Sequence, residues 1–482
     1  MINISSPGLP ATRREFLAQN ALGIGGFALA WLLNQERATA APHIPRSGPS
    51  YNLAAKAPPQ PARARAMISM FMHGGPSHVD LFDPKTELTK RSGEDYSGDV
   101  VYSFVNRASK KLLGSPWKFE KRGQSGTEIS ELLPHTAGIV DDIALIRSAH
   151  TGFNGHEVSI RFMHSGRAAV TGRPTLGSWL TYGLGSESQD LPAYVVLSDP
   201  GGHPVDGLNN WSNGWLPSIF QGTVIRPREP RIPNLDPPAH LSGDLQRQNL
   251  DFLQALNRRH LEKNSGDADL EARIASYELA ARMQSAAREA LDVSQESEAT
   301  LKLYGIDQPT TQEYGTRCLI ARRLIERGVR FVQLFLGGQP WDNHTDIKNT
   351  LPAICQRTDQ PAAALVQDLK ARGLLDTTLV HWGGEIGRLP VTEGDAATCG
   401  RDHNGQGFSM WLAGGGIKGG MVYGETDEFG HKAVKDVFTP NDYQSTVLHL
   451  FGLDHQKLVF HHNGQEQTLT EGRGQVVRAL LS

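Results

Sequence analysis

Eight residues of this chain pair reactive chemistry with a turn-rich setting: His73, His156, Asp342, His344, Glu385, Arg388, Arg401 and His403. Imidazole and carboxylate ligands together suit Zn²⁺, Mn²⁺ or iron better than Ca²⁺, which prefers an all-oxygen shell. Asp342 and His344 are too close in sequence to share one helical face, but on a loop both can turn toward one ion. His73, Asp342, His344, Glu385 and His403 are therefore the expected ligands of one or two divalent ions, zinc or manganese. Arg388 or Arg401 is expected to hold an anionic group, because a guanidinium fork matches phosphate and sulfate oxygens. Such a site hydrolyses esters by polarising their oxygens and lowering the pKa of a bound water. Each residue also has a structural reading. His73 could cap its strand, Glu385 could pair with Arg388 or Arg401, and His403 could be a satisfied core histidine. Asp402 is expected to pair with Arg401 or to support His403.

These residues need a scaffold that gathers them. Ala66–Met72 is an almost unbroken apolar run that ends at His73-Gly-Gly. Arg330–Leu336 runs into Gly-Gly and then Trp341-Asp-Asn-His344, and Thr378–Gly383 leads to Glu385. Further runs stand at 143–148, 193–198 and 408–413. Apolar runs of this kind are typical of parallel strands covered on both faces. Helical patterns alternate with them at 156–164, 176–182, 311–327, 346–372 and 440–450, the last with Pro440 in its first turn. Pro352 and Pro361 are expected to break or kink the helix over 346–372. The class is α/β, with a mostly parallel central sheet and helices on both faces. In such sheets ligands bind beyond the carboxyl ends of the strands, where His73, Asp342 and Glu385 fall. The stretch 129–140 reads as a helix, 81–124 as an irregular surface excursion, and 200–240 as loop. A helical insertion spans about 241–300. Its stripes at Leu245, Leu250, Leu253 and Leu256, and at Leu270, Ile274, Tyr277 and Ala281, are expected to pack on the sheet.

The 482 residues carry a net charge of −3, with 21% charged and 39% hydrophobic residues. Nothing in that balance points to a nucleic-acid or anionic-membrane partner. The cysteines Cys318, Cys355 and Cys399 share no metal or disulfide spacing. Thr12-Arg-Arg-Glu-Phe-Leu17, the apolar run 21–33 and Ala38-Thr-Ala40 have the layout of a cleavable twin-arginine signal. Residues 1–40 are thus expected to be an address read by the twin-arginine machinery, 41–62 a linker, and 63–482 one α/β domain. The expected location is periplasmic or extracellular, reached after folding.

The order of these motifs resembles a known family. The twin-arginine leader, Phe71-Met-His-Gly-Gly-Pro-Ser-His-Val-Asp80, Trp341-Asp-Asn-His344, and Gly384-Glu-Ile-Gly-Arg388 with Gly400-Arg-Asp-His403 look like domain-of-unknown-function family 1501. That family is placed among the relatives of sulfatases in the alkaline phosphatase superfamily. Laid on the sulfatase pattern, Glu385 stands at the metal-binding aspartate and Ile386 where a His or Asn would be. Counting back from Ser165-Gly-Arg167 puts His156 at the nucleophile position. No cysteine or serine stands there, so the resemblance does not extend to formylglycine chemistry, and His156 is left as ligand or nucleophile.

The function expected from all this is an exported, metal-dependent hydrolase of phosphate or sulfate esters, with an anionic ester, such as a sulfated or phosphorylated glycan, as substrate. The alternative is a non-catalytic exported protein that binds a glycan or a partner, with Trp117, Trp211 and Trp215 as stacking platforms.

Overall fold

The computed structural model describes residues 51–103, 108–236, 243–264, 267–395 and 398–482. The expected signal and the first part of the linker lie outside the described residues. Eight strands form the central sheet: β1 (Ala66–Phe71), β2 (Ile143–Ala149), β3 (Tyr194–Leu197), β4 (Thr223–Ile225), β5 (Phe331–Phe335), β6 (Thr378–Gly383), β7 (Phe408–Ala413) and β8 (Met421–Tyr423). Their spatial order is β8-β2-β7-β6-β1-β5-β3-β4. β1 pairs in parallel with both β5 and β6, and β7 alone runs against its neighbours β2 and β6.

The strand side chains sort by the two-residue period of extended chain. Ile68 and Met70 point to one core with Val332, Leu334, Val380 and Trp382. Met67 and Phe71 point to the other, with Phe331, Phe335 and Leu379. The helices α1 (His156–Ser165), α2 (Leu176–Leu184) and, at the far end of the chain, α7 (Pro440–Leu450) cover the Met67 face. On the opposite face, α4 (Ala268–Leu291), α5 (Gln312–Glu326) and α6 (Ile347–Ala371) close the layer, with α3 (Asp244–Lys263) preceding them in the chain. Thr439 caps α7 through a reciprocal bond with Asp442.

Five expectations give way here. The stretch 200–240 is not all loop, since it supplies the edge strand β4. Residues 129–140 are not one helix: Thr127–Ser130 is a strand paired with Phe119–Arg122, and only Thr136–Ile139 makes a short 3₁₀ turn. The alternation Thr127-Glu-Ile-Ser suits a hairpin, and Pro134 interrupts helical pairing. α6 runs unbroken through Pro352 and Pro361, because the burial of Leu351, Ile354, Leu365 and Val366 outweighs two missing backbone bonds. The stretch 81–124 is not all surface, since Leu81, Phe82, Leu88 and Leu112 are buried. The helical insertion also packs unevenly. The end of α4 joins the core through Ala287, Ala290 and Leu291, whereas α3 buries no residue. Among the described residues no helix is long and apolar enough to cross a membrane.

Candidate metal centre

The strands end where the sequence places the reactive residues, and glycines let those ends close on one another. A Cβ at Gly74 (φ +111°) would lie 2.8 Å from the backbone nitrogen of Asp342, so this turn is open only to glycine. One at Gly400 would collide with the carbonyls of Asn343 and His344. The two close approaches bring three segments together: the end of β1, the loop after β5, and residues 400–404, of which His403 and Asn404 pair with Arg388 and Gly387.

Asp342 Oδ1 is the common point. His344 Nε2 lies 2.9 Å away, His403 Nε2 3.1 Å and His156 Nε2 3.4 Å. His344 Nε2 and His403 Nε2 are themselves 2.9 Å apart. The other nitrogen of each ring is held from behind. His156 Nδ1 donates to Glu385 Oε1 at 2.6 Å, and His344 Nδ1 to Glu393 Oε2 at 2.5 Å. A carboxylate only accepts, so both rings carry their proton on Nδ1 and, when neutral, turn the Nε2 lone pair toward Asp342. His403 Nδ1 meets Ser103 Oγ at 3.1 Å. Asp402 supports this corner: it accepts from the backbone N–H of Ser103 and of His403, each at 2.7 Å.

Protonation follows from these contacts. Burial alone would lower the pKa of His156, but Asp342 and Glu385 override it and push the ring up to about 9. The same competition raises His344, where Asp342 and Glu393 prevail. For His403 burial wins and the pKa falls. Burial works against ionisation of Asp342, yet its three histidines hold the carboxylate far below the usual range. Glu385, fully buried, is held down by His156 in the same way.

The remaining sequence candidates fall outside this convergence. Glu385 sits one layer back, its oxygens facing the Gly74 N–H at 3.0 Å and His156. His73 is buried, with Nε2 accepting from the Val205 N–H at 3.3 Å, and burial lowers its pKa. Its ring centre is 6.2 Å from that of His156. Arg388 is buried and ties the site together, donating to the carbonyls of Gly74, Gly75 and Arg401 and to Asp342 Oδ1. Arg401 does not reach the site. Its guanidinium makes a two-pronged pair with Asp80 at 2.7 and 3.0 Å, and both residues are fully buried. The expected pairing of Asp402 with Arg401 is thus replaced by Asp80 with Arg401. The tryptophans are not open platforms either. Trp211 is buried, Trp117 packs against the core, and Trp215 is covered by the Arg173 guanidinium and the His462 ring.

Sequence reasoning missed Glu393 and Ser103. The alternation Val391-Thr-Glu393 puts an acid on the side of the buried Val391, a signal that was there to read. Ser103 carried none.

The donors fit a metal ion. Each of the three imidazole nitrogens lies 2.9–3.4 Å from Asp342 Oδ1, and those of His344 and His403 lie 2.9 Å from each other. Tetrahedral zinc with bonds of about 2.1 Å spaces its ligands by about 3.4 Å. Metal-bound histidines generally donate their second N–H to a carboxylate, carbonyl or water, as His156 and His344 do here.

The model of the family described as "Protein of unknown function (DUF1501)" matches residues 64–481. No curated protein matches the chain. Among solved structures, the PsFucS1 sulfatase from Pseudoalteromonas sp. is similar at 11% identity and a TM-score of 0.36, over 81% of this chain and 68% of that one. The lipoteichoic acid synthase LtaP from Listeria monocytogenes is similar at 11% identity and a TM-score of 0.34, over 91% and 80%. The phosphonate monoester hydrolase SpPMH from Silicibacter pomeroyi is similar at 11% identity and a TM-score of 0.34, over 72% and 71%. Likeness of that degree carries nothing about activity.

Proposed function

The chain belongs to the DUF1501 family, and from its own site we propose that it is an exported, metal-dependent hydrolase of phosphate or sulfate esters. One observation carries the reading: His156, His344 and His403 turn their Nε2 atoms onto Asp342 Oδ1, with at least two of the rings fixed from behind by buried carboxylates. A fold spends burial on that many ionisable groups when a cation neutralises them. These four residues would hold the ion, and three nitrogens with one oxygen favour zinc over manganese. When bound, the ion supplies Lewis acidity toward an ester oxygen and acidifies a water.

The chain's own groups prepare that chemistry. Glu385 and Glu393 fix the tautomer and aim of His156 and His344. Ser103 meets the ring of His403 and Asp402 accepts its backbone N–H, which fixes where that ring sits, and Arg388 holds Asp342 against the end of β1. His156 has one nitrogen on Glu385 and the other toward Asp342, which supports a ligand rather than a nucleophile. Glu385 acts through His156 in this scheme, His73 stands outside the ligand set, and Arg401 is structural. The substrate class is an anionic ester, a sulfated or phosphorylated glycan among them. Delivery by the twin-arginine route rests on the leader sequence.

Elemental analysis of the purified protein tests the reading, combined with turnover on a panel of phosphate and sulfate esters. Stoichiometric zinc with hydrolysis of at least one ester class is expected. Stoichiometric metal without turnover across the panel would leave a metal-binding protein that is not this hydrolase. No metal would remove the reading altogether.

A further inference from the structure

α3 is 20 residues long and has no buried residue. At 100° per residue, Leu245, Leu250, Phe252 and Leu253 nevertheless fall within about half of its circumference. The neighbour, α4, covers only a strip of that face. Polar bonds stitch the pair, Gln246 to Gln284 at 2.8 Å and Gln254 to Glu278 at 3.1 Å. Between the two helices lies a groove of about 530 Å³, with Leu250, Leu253, Tyr277 and Ala281 in its lining. Leu245 is 47% exposed, Leu250 37%, Phe252 60%, Leu253 53% and Tyr277 74%. Five large apolar side chains thus face solvent on one helical hairpin. An isolated helix of this length is marginal in water, and an apolar patch of this extent marks an interaction surface.

We propose that this face is where two copies of the chain meet, hairpin against hairpin about a two-fold axis. Charge favours a second copy over other occupants. Asp251 and Glu278 line the groove together with Arg282. The rest of α3 alternates in sign, with Arg247 and Arg258 against Asp244 and Glu262. A membrane surface or a strongly charged partner calls for a face of one sign. A patch carrying both signs can pair with itself, since away from the two-fold axis an isologous contact sets a side chain of one copy against a different one of the other. Area agrees. The five apolar side chains offer on the order of 500 Å² per copy, and the polar flanks bring this near the roughly 800 Å² that a specific interface takes from each partner. Two hairpins closed in this way form a four-helix bundle whose core is the stripe each copy leaves open.

The test is sedimentation velocity of the full chain from low to high micromolar concentration, beside a variant carrying Phe252→Asp and Leu253→Asp. The wild type is expected to pass from monomer to dimer. The variant should stay monomeric, with its dissociation constant weakened at least about 100-fold. Both positions are solvent-exposed in the monomer, so its far-UV circular dichroism should match the wild type, as should its Tm at a concentration where the wild type is monomeric. A wild type that remains monomeric throughout would overturn the proposal, and so would a dimer that the variant retains. Monomers that instead sediment with anionic phosphatidylserine vesicles would also overturn it and assign the face to a membrane.

Discussion

Glu385 Oε1 accepts the Nδ1 proton of His156 at 2.6 Å, joining the turn after β6 to the first residue of α1. The contact fixes which nitrogen of His156 faces Asp342, and the fully buried carboxylate also receives the Gly74 N–H. Two strand ends and a helix start are locked by one side chain.

Glu385→Gln keeps the shape and removes the charge. Metal affinity is expected to fall by about 10- to 100-fold, the usual effect of losing a partner that orients a ligand. Competition with a chromophoric zinc chelator measures it. An unchanged affinity would show that Glu385 does not act through His156.

The raised pKa of His156 has a consequence for the metal-stripped protein. The folded value is about 9, against about 6.5 in the unfolded chain. A group whose pKa rises on folding stabilises fully below its unfolded value, and that stability is lost as pH climbs through the folded one. The Tm of the stripped protein is therefore expected to decline between about pH 7 and pH 10, with at most about 3 kcal/mol involved. In Glu385→Gln the decline should start at the same pH, set by the unfolded chain, but end at lower pH and be smaller, because one of the two carboxylates that raise the pKa is gone. Scanning calorimetry of both proteins across that range checks the sign.

Arg401→Ala separates structure from substrate binding. It leaves Asp80 as an uncompensated buried charge, so the fold should lose about 3–5 kcal/mol. Metal stoichiometry per folded molecule should stay the same, because Arg401 touches none of the converging atoms. Chemical denaturation and elemental analysis of the same preparation give both numbers.

Gly74→Ala strikes the close approach of β1 to Asp342. The added carbon meets backbone rather than a movable side chain, and the positive φ adds strain. A loss of at least about 1–3 kcal/mol is expected, together with weaker metal binding as Asp342 is pushed aside. A variant equal to the wild type in both respects would show that the turn can yield.

Much of this arrangement was legible in the sequence. The apolar runs ending in glycine turns placed six of the strands and put Asp342, His344 and His403 at one edge of the sheet. What escaped was contact specificity. Nothing in Arg401 distinguishes a guanidinium destined for Asp80 from one facing a substrate, because the choice depends on where the chain folds back. Glu385 stands at a strand end, as the expected ligands do, but His156 lies between it and Asp342, and sequence does not resolve such layers. α6 shows the same limit in another form: two prolines argue locally for a break, and the helix persists because its buried face was set by partners far away in the chain.

The four converging side chains are contributed from well-separated parts of the chain, His156 from the middle of its first half and His403 from near its last helix. No fragment that stops short of residue 403 carries the full set, and the turns that bring the set together rely on strands at both ends of the order of synthesis. An ion held by these four residues would thus be taken up only once residue 403 has been made and the strand ends have closed on one another.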